Sequence, residues 1–345
     1  MKRSDLLRAG KSSLLVAGLI AFALLCGSFA SPASAALRPR IAVIYDNGGR
    51  GDSSINDATG SGVDAVKKKF GLSNLDIREI VTDGTEIDRE NRLQFLAKAG
   101  YGLIIAVGPT FASALEIVAP NFPNAQFAIF FNETVPIINV SSVSFNNNEG
   151  AFLAGVASSL LSKSGKIGLL TNGNDPASLS LSKNFIAGAK FGNSAIRVFT
   201  RSPVLAPAKD VAALGASKVD VVYSTWSSSA EVITAIAKSN GSSKRIQIIG
   251  HLPDQYVLSS IAAKKVLLGT VTDKVSVAMI DLVATTFAGE TLSDVVDEKL
   301  GVYGHVYSIV DGGIDLTLTT NAPAITAKLK LAKTAIIAGK LQLVA

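Results

Sequence analysis

Arg40-Ile41-Ala42-Val43-Ile44-Tyr45, followed at once by Asp46-Asn47-Gly48-Gly49, is the stretch that decides the fold. The apolar run from Ile41 to Tyr45 has no polar face. It suits a strand covered on both sides, as in a parallel sheet between two helix layers. A Gly/Asp turn ends it, and residues 55–70 then place apolar side chains at 58, 63, 66 and 70, a helical spacing. The same alternation continues outward. Strands are predicted at 75–81, 102–108 and 126–131, with helices at 86–99 and about 110–119. The pattern restarts with a helix at 150–162. Strands follow at 166–170, 196–200, 219–223, 246–250 and 266–271, with helices at 180–191, up to Lys238, and at 275–288. This predicts an α/β protein of two doubly wound lobes with parallel sheets. Ligands of such sheets sit beyond the carboxyl ends of the strands, here in the cleft between lobes.

Composition narrows the function. The chain has 345 residues, 48% hydrophobic and 17% charged, too apolar for a disordered protein and long enough for two cores. Two His and one Cys leave too few ligands for most metal sites and none for a disulfide framework. No metal or cofactor is expected. Residues 1–35 read as an export signal. Lys2, Arg3, Arg8 and Lys11 precede a nearly uncharged apolar run from Ser12 to Gly27, and Ala33-Ser34-Ala35 offers small residues for cleavage after Ala35. The run is short for a membrane span. Lipid anchoring at Cys26 is disfavoured, because bulky Leu25 precedes it. Removing the segment's four basic residues and one acid leaves 29 basic against 26 acidic side chains. The high overall charge is thus partly the signal's own and argues against nucleic acid as a partner. Export places the protein in the periplasm or on the outer face of the membrane. A repressor of similar fold would need a helix-turn-helix where the signal stands.

Several motifs fail on context. Gly51-Asp52-Ser53 is similar to a hydrolase nucleophile block, but such an enzyme needs a His base with an Asp three residues before it. Ile248 stands there for His251 and Val302 for His305, so no catalytic set is assigned. Gly60-Ser61-Gly62-Val63-Asp64-Ala65 nominally matches a dinucleotide fingerprint, yet lies inside a predicted helix. Arg50-Gly51-Asp52 is read as a chance tripeptide. The polar stretch from Asp46 to Asp57 remains. Its glycines would let backbone N–H groups approach a ligand at a helix N-terminus, unless Ser53 or Ser54 simply caps that helix. Trp226, the only Trp, sits among small polar residues just past a strand, as a platform for a flat ligand or a core wedge. His251 and Lys274 each follow a strand and could reach the cleft, or be structural and solvated respectively.

Taken in order, these pieces resemble the basic membrane protein family, also called the purine nucleoside receptor-like family, of substrate-binding proteins for ATP-binding-cassette importers. The resemblance covers about 40–345. Its blocks are Asp46 through Ser54-Ile55-Asn56, then Phe127-Ala128-Ile129-Phe130-Phe131-Asn132. The most specific is Asn139-Val140 to Phe145 with Glu149-Gly150-Ala151-Phe152-Leu153-Ala154-Gly155 and Lys163-Ser164-Gly165-Lys166-Ile167-Gly168. Ile249-Gly250 with Asp254-Gln255, Lys274 and Asp311-Gly312-Gly313 follow. The resemblance implies a type I periplasmic-binding fold with a multi-strand hinge, a small-molecule ligand, a membrane permease as partner, and a monomer. It implies a first lobe of 36–146 plus about 273–303 and a second of 147–272 plus about 304–345, with crossings near 145–149, 271–275 and 301–305. Asn56 and Lys274 match positions that hold a nucleoside in the family. With Asp46, Ser54, Asn132, Phe199, Trp226, His251 and Asp254 they form the expected site. Asn132 stands where an Asp is usual, Trp226 replaces a Gly, and Leu252 replaces a further Asp. Losing two carboxylates removes acceptors for ribose and base N–H groups. The departures predict a ligand other than a standard purine nucleoside, with Trp226 as one wall. Phe199 is the nearest aromatic for stacking. A ligand sensor, or a partner protein of a membrane receptor, without a transport role is the alternative.

Overall fold

A computed structural model describes residues 38–171, 173, 175–202, 206–225, 229–240, 245–251 and 260–344. The folded unit runs from Pro39 to Ala345. Trp226, Leu252, Asp254 and the whole export segment lie outside the described residues.

The first lobe opens with β1 (Ile41–Tyr45), α1 (Ile55–Phe70), β2 (Ile77–Val81), α2 (Glu86–Lys98), β3 (Leu103–Val107), α3 (Ala112–Val118), β4 (Gln126–Phe130) and β5 (Val140–Phe145). The second holds α4 (Asn147–Leu161), β6 (Lys166–Leu170), α5 (Pro176–Gly192), β7 (Arg197–Arg201), α6 (Pro207–Ala216), β8 (Val221–Ser224), α7 (Ser229–Asn240), β9 (Gln247–His251), α8 (Ile261–Lys264) and β10 (Leu267–Asp273). The chain then returns with α9 (Val275–Phe287), β11 (Asp294–Asp297) and β12 (Val302–Tyr307), and ends with β13 (Ile314–Leu318) and α10 (Pro323–Ile337).

One sheet is ordered β11-β12-β5-β4-β3-β1-β2 and the other β13-β10-β9-β8-β6-β7. All five residues of β1 are buried. Ile41, Val43 and Tyr45 face one core while Ala42 and Ile44 face another, as a run without a polar side requires. The sheets are mixed rather than parallel throughout. β11 pairs antiparallel with β12, and β13 antiparallel with β10, each at a sheet edge.

The lobes are joined where the chain leaves one sheet for the other. It crosses after Phe145, after Asp273, and between Tyr307 and Ile314. The third crossing lies beyond the 301–305 expected, because β12 pairs in register with β5 through Tyr307 and belongs wholly to the first sheet. Hydrogen bonds tie the three together. The Asn146 N–H donates to Tyr307 O at 2.8 Å, and the Lys274 N–H to Gly313 O at 2.7 Å. Beyond the first crossing, α4 packs directly on α5. A Cβ on Gly155 would lie 2.1 Å from Phe185 O, and one on Gly188 2.0 Å from Phe152 O. The two helix backbones therefore touch, and only glycine fits between them.

Candidate functional site

The loop after β1 holds its own donors. The Asp57 carboxylate accepts the N–H groups of Gly51 at 2.6 Å and Ser53 at 2.8 Å. Asp52 accepts those of Ser54, Asn56 and Asp57 at 2.8–3.1 Å. Arg50 pins the loop to Asp64 and Glu79. The helix N-terminus expected to face a ligand is thus capped by Asp52. Ser54 occupies the cap position without a side-chain bond.

Asp46 is also spent within the fold. Its carboxylate accepts from Thr82 Oγ1 at 2.8 Å, Thr110 Oγ1 at 2.6 Å and the Arg89 guanidinium at 2.8–3.2 Å. Burial opposes its ionisation, but the bonds from Arg89, Thr110 and Thr82 prevail and hold its pKa at about 2. Thr110 follows β3, so this bond spans the switch point of the first sheet, where strand order reverses. Asn56, in the first turn of α1, is buried, and its side-chain oxygen has no partner among the described residues. Phe199 lies on edge strand β7 and packs against the core cluster that holds Leu170, Val211 and Leu214, with Arg197 over its ring.

The carboxyl ends of β4, β5 and β10 do converge. They enclose a cavity of about 280 Å³ bounded by Phe131, Asn132 and Thr134 after β4, Ser144 and Phe145 on β5, Asn147 opening α4, and Asp273 ending β10. Both lobes therefore contribute walls. Asn132 Oδ1 accepts from the Thr134 N–H at 2.8 Å and from Thr134 Oγ1 at 3.0 Å. A backbone N–H can only donate, which fixes the amide's orientation and leaves Nδ2 as its remaining group, a donor where a carboxylate would accept. Ser144 Oγ and Asn147 Oδ1 are buried without a partner among the described residues. Buried polar atoms are nearly always paired, so unpaired ones lining a cavity mark a place where a ligand or water completes them.

Aromatic rings floor the site. Phe131 and Phe145 are 5.6 Å apart between centroids, and Phe145 and Tyr307 5.9 Å. Phe131 has φ +63°, a left-handed conformation that costs a bulky residue about 1–2 kcal/mol. Its N–H bond to Val143 O at 2.7 Å helps hold it there. The sequence reading sought its aromatic at Phe199. The signal lay instead in the doubled Phe130-Phe131 at a strand end, where one ring must leave the sheet plane.

His251 sits one layer behind. Tyr223 Oη lies 2.8 Å from its Nδ1, and Asp273 Oδ1 3.2 Å from its Nε2. Burial, with the nearby Asp273 charge, pushes the Tyr223 phenol far up, so it stays protonated and donates. His251 is 1% exposed and both ring nitrogens are engaged. Through its Nε2 bond it orients Asp273. Lys274 follows directly, as the cap residue of α9, and its ammonium makes no ion pair among the described residues. Among the described residues no group of His, Cys, Asp and Glu could hold a metal ion. No helix there is long and apolar enough to cross a membrane.

Two α/β lobes meeting around a polar cavity define a bilobal ligand-binding protein. The profile of the family described as ABC transporter substrate-binding protein PnrA-like matches residues 39–302, and the chain belongs to that family of substrate-binding proteins. The ABC transporter nucleoside-binding protein BmpA of Lactococcus lactis is 28% identical over 316 residues, 88% of each chain. Basic membrane protein A of Borreliella burgdorferi is 30% identical over 167 residues, 47% of each. Among solved structures, an ABC transporter solute-binding protein from Conexibacter woesei superposes with TM-score 0.70 at 16% identity, covering 89% of this chain and 98% of that one. A transcriptional activator of the comK gene from Bacillus halodurans gives 0.69 at 18%, covering 88% and 99%. These two likenesses concern the fold alone.

Proposed function

We propose that this chain is the extracytoplasmic receptor of an ABC importer and captures a small polar ligand, nucleoside-like or related, by closure of the two lobes. It acts as a monomer, without catalysis, and hands its cargo to a membrane permease. The observation that carries this reading is the cavity shared by both lobes, with Ser144 Oγ and Asn147 Oδ1 unpartnered on its wall. A ligand that satisfies groups on both lobes binds the closed form better, and its differential affinity shifts the population toward closure. The name of the Lactococcus lactis relative supports a nucleoside-like cargo. Asn132 tunes the choice. Its free Nδ2 favours a ligand that presents an acceptor there, and disfavours bases that present N–H groups, such as guanine and hypoxanthine. The export segment, cleaved after Ala35, would deliver the receptor outside the cytoplasm.

The test is a melting screen of residues 36–345 against nucleosides, nucleobases, sugars, amino acids and small carboxylates. Ligand at 100 times its dissociation constant adds about 2.7 kcal/mol and raises the Tm visibly. A hit supports a receptor and names its cargo. Micromolar binding of inosine or guanosine by calorimetry would refute the selectivity assigned to Asn132. No hit in any class would favour a partner-binding role.

A further inference from the structure

Of the two carboxylates on the cavity wall, Glu133 is exposed, whereas Asp273 is buried with most of its acceptor capacity left open by the fold. The residue is 3% exposed. Its side chain has one hydrogen-bond partner among the described residues, the His251 ring at 3.2 Å. Asp46, by contrast, has its oxygens filled by Arg89 and two threonines. A carboxylate offers about four acceptor sites, and burying it with one partner is costly unless something else donates. The fold nevertheless builds two layers behind it. A carboxylate only accepts, so His251 Nε2 carries the ring proton, and Nδ1 is left to accept from Tyr223. Tyr223 in turn stacks on Phe185, centroids 5.4 Å apart at 11°. Such backing fixes the direction of a side chain without using up its acceptors.

We propose that Asp273, oriented by His251 and Tyr223, is the acceptor that selects the cargo, and with Asn147 Oδ1 recognises a pair of adjacent hydrogen-bond donors on it. The assignment rests on the receptor reading above. Adjacent donors occur as the vicinal hydroxyls of a sugar or as the N–H edge of a base. Asp273 thereby supplies an acceptor in the same cavity as Asn132, whose free group donates.

The experiment is calorimetry of the full chain with adenosine, cytidine, uridine, guanosine and inosine, their 2′-deoxy forms, the free bases and D-ribose. It compares wild type with Asp273→Asn and Ser144→Ala, each checked by its ligand-free Tm. Losing a hydrogen bond to a charged acceptor lowers affinity roughly ten- to a hundredfold. Asp273→Asn is expected to lose that much toward the ribonucleoside that binds wild type. If the donors are hydroxyls, the variant loses its preference for ribo over deoxy probes. If they are base N–H groups, it loses affinity for the free base equally. Ser144→Ala serves as the second variant. Removing an unpartnered buried hydroxyl should raise the ligand-free Tm while weakening binding, a combination a merely structural serine would not show. Silence of the wild type toward every probe overturns the nucleoside-like cargo and this assignment together. Binding that is unchanged in a folded Asp273→Asn overturns the assignment alone.

Discussion

The Ile309 N–H donates to Glu149 Oε2 at 2.6 Å, joining positions 160 apart in sequence. Glu149 opens α4 in the second lobe, and Ile309 lies in the third crossing, so this bond locks one hinge passage to another. Burial pushes the Glu149 carboxyl up, the Ile309 N–H pulls it back, and the Asp311 charge adds to the rise. A carboxyl raised on folding contributes stability below its ordinary range that is lost as pH rises through the folded value. Glu149→Gln keeps an acceptor and drops the charge, and should be more stable than wild type at pH 7. Glu149→Ala should be less stable by about 1–3 kcal/mol, because it strands the Ile309 N–H. Urea unfolding at pH 5 and 7 decides, and a Gln variant weaker than wild type at pH 7 counts against this account.

Asp46 works in the opposite sense. Its carboxyl falls to about 2 on folding. The stability it brings, about 2 kcal/mol at roughly 1.4 kcal/mol per pH unit, is present above the ordinary carboxylate range and lost as pH falls toward 2. Asp46→Asn should remove that acid-sensitive part of the unfolding curve and leave ligand affinity within about twofold. A large loss of affinity in a stable variant would return Asp46 to the binding site.

Two phenylalanines separate floor from scaffold. Phe131→Ala should weaken binding about tenfold, since the ring lines the cavity beside Phe145. Phe199→Ala should cost about 1–2 kcal/mol of stability, as expected for a half-buried ring, with affinity unchanged. Calorimetry with whichever compound the melting screen identifies gives the comparison. The reverse result would mean that the stacking surface lies on β7 after all.

Gly155→Ala should be among the most destabilising single changes, about 3 kcal/mol or more, because the new methyl would meet the backbone of α5. Thermal melting of the variant measures it. A loss below about 1 kcal/mol would show that the two helices can separate at little cost.

The fold was legible wherever burial is two-sided. Residues 41–45, 103–107 and 167–170 are uninterrupted apolar runs, and their strands form within a residue or so of the prediction. β11 and β13 escaped because edge strands are wet on one side. Asp294-Val295-Val296-Asp297 and Ile314-Asp315-Leu316-Thr317-Leu318 are too short and polar to stand out. The third crossing was misplaced because β12, an inner strand, is only partly buried and interrupted by Gly304 and His305, and so does not stand out as a strand. Among the candidate site residues, Asn132 is singled out by the family resemblance, and His251 and Lys274 by their place at strand ends. Whether such a residue meets ligand or structure depends on partners far along the chain. Nothing near Asp46 announces Arg89, and nothing near His251 announces Tyr223 and Asp273.

The interleaving of the lobes has a consequence for synthesis. The first sheet waits for β12 and the second for β13, while Leu329, Ala332 and Ile336 of α10 complete the core beside α4. Neither half can finish its own fold while the ribosome still holds the last fifth of the chain. Truncation before Ile314 would cost the second sheet its closing edge, and truncation before Val302 would cripple both at once. The molecule therefore matures late and as a whole.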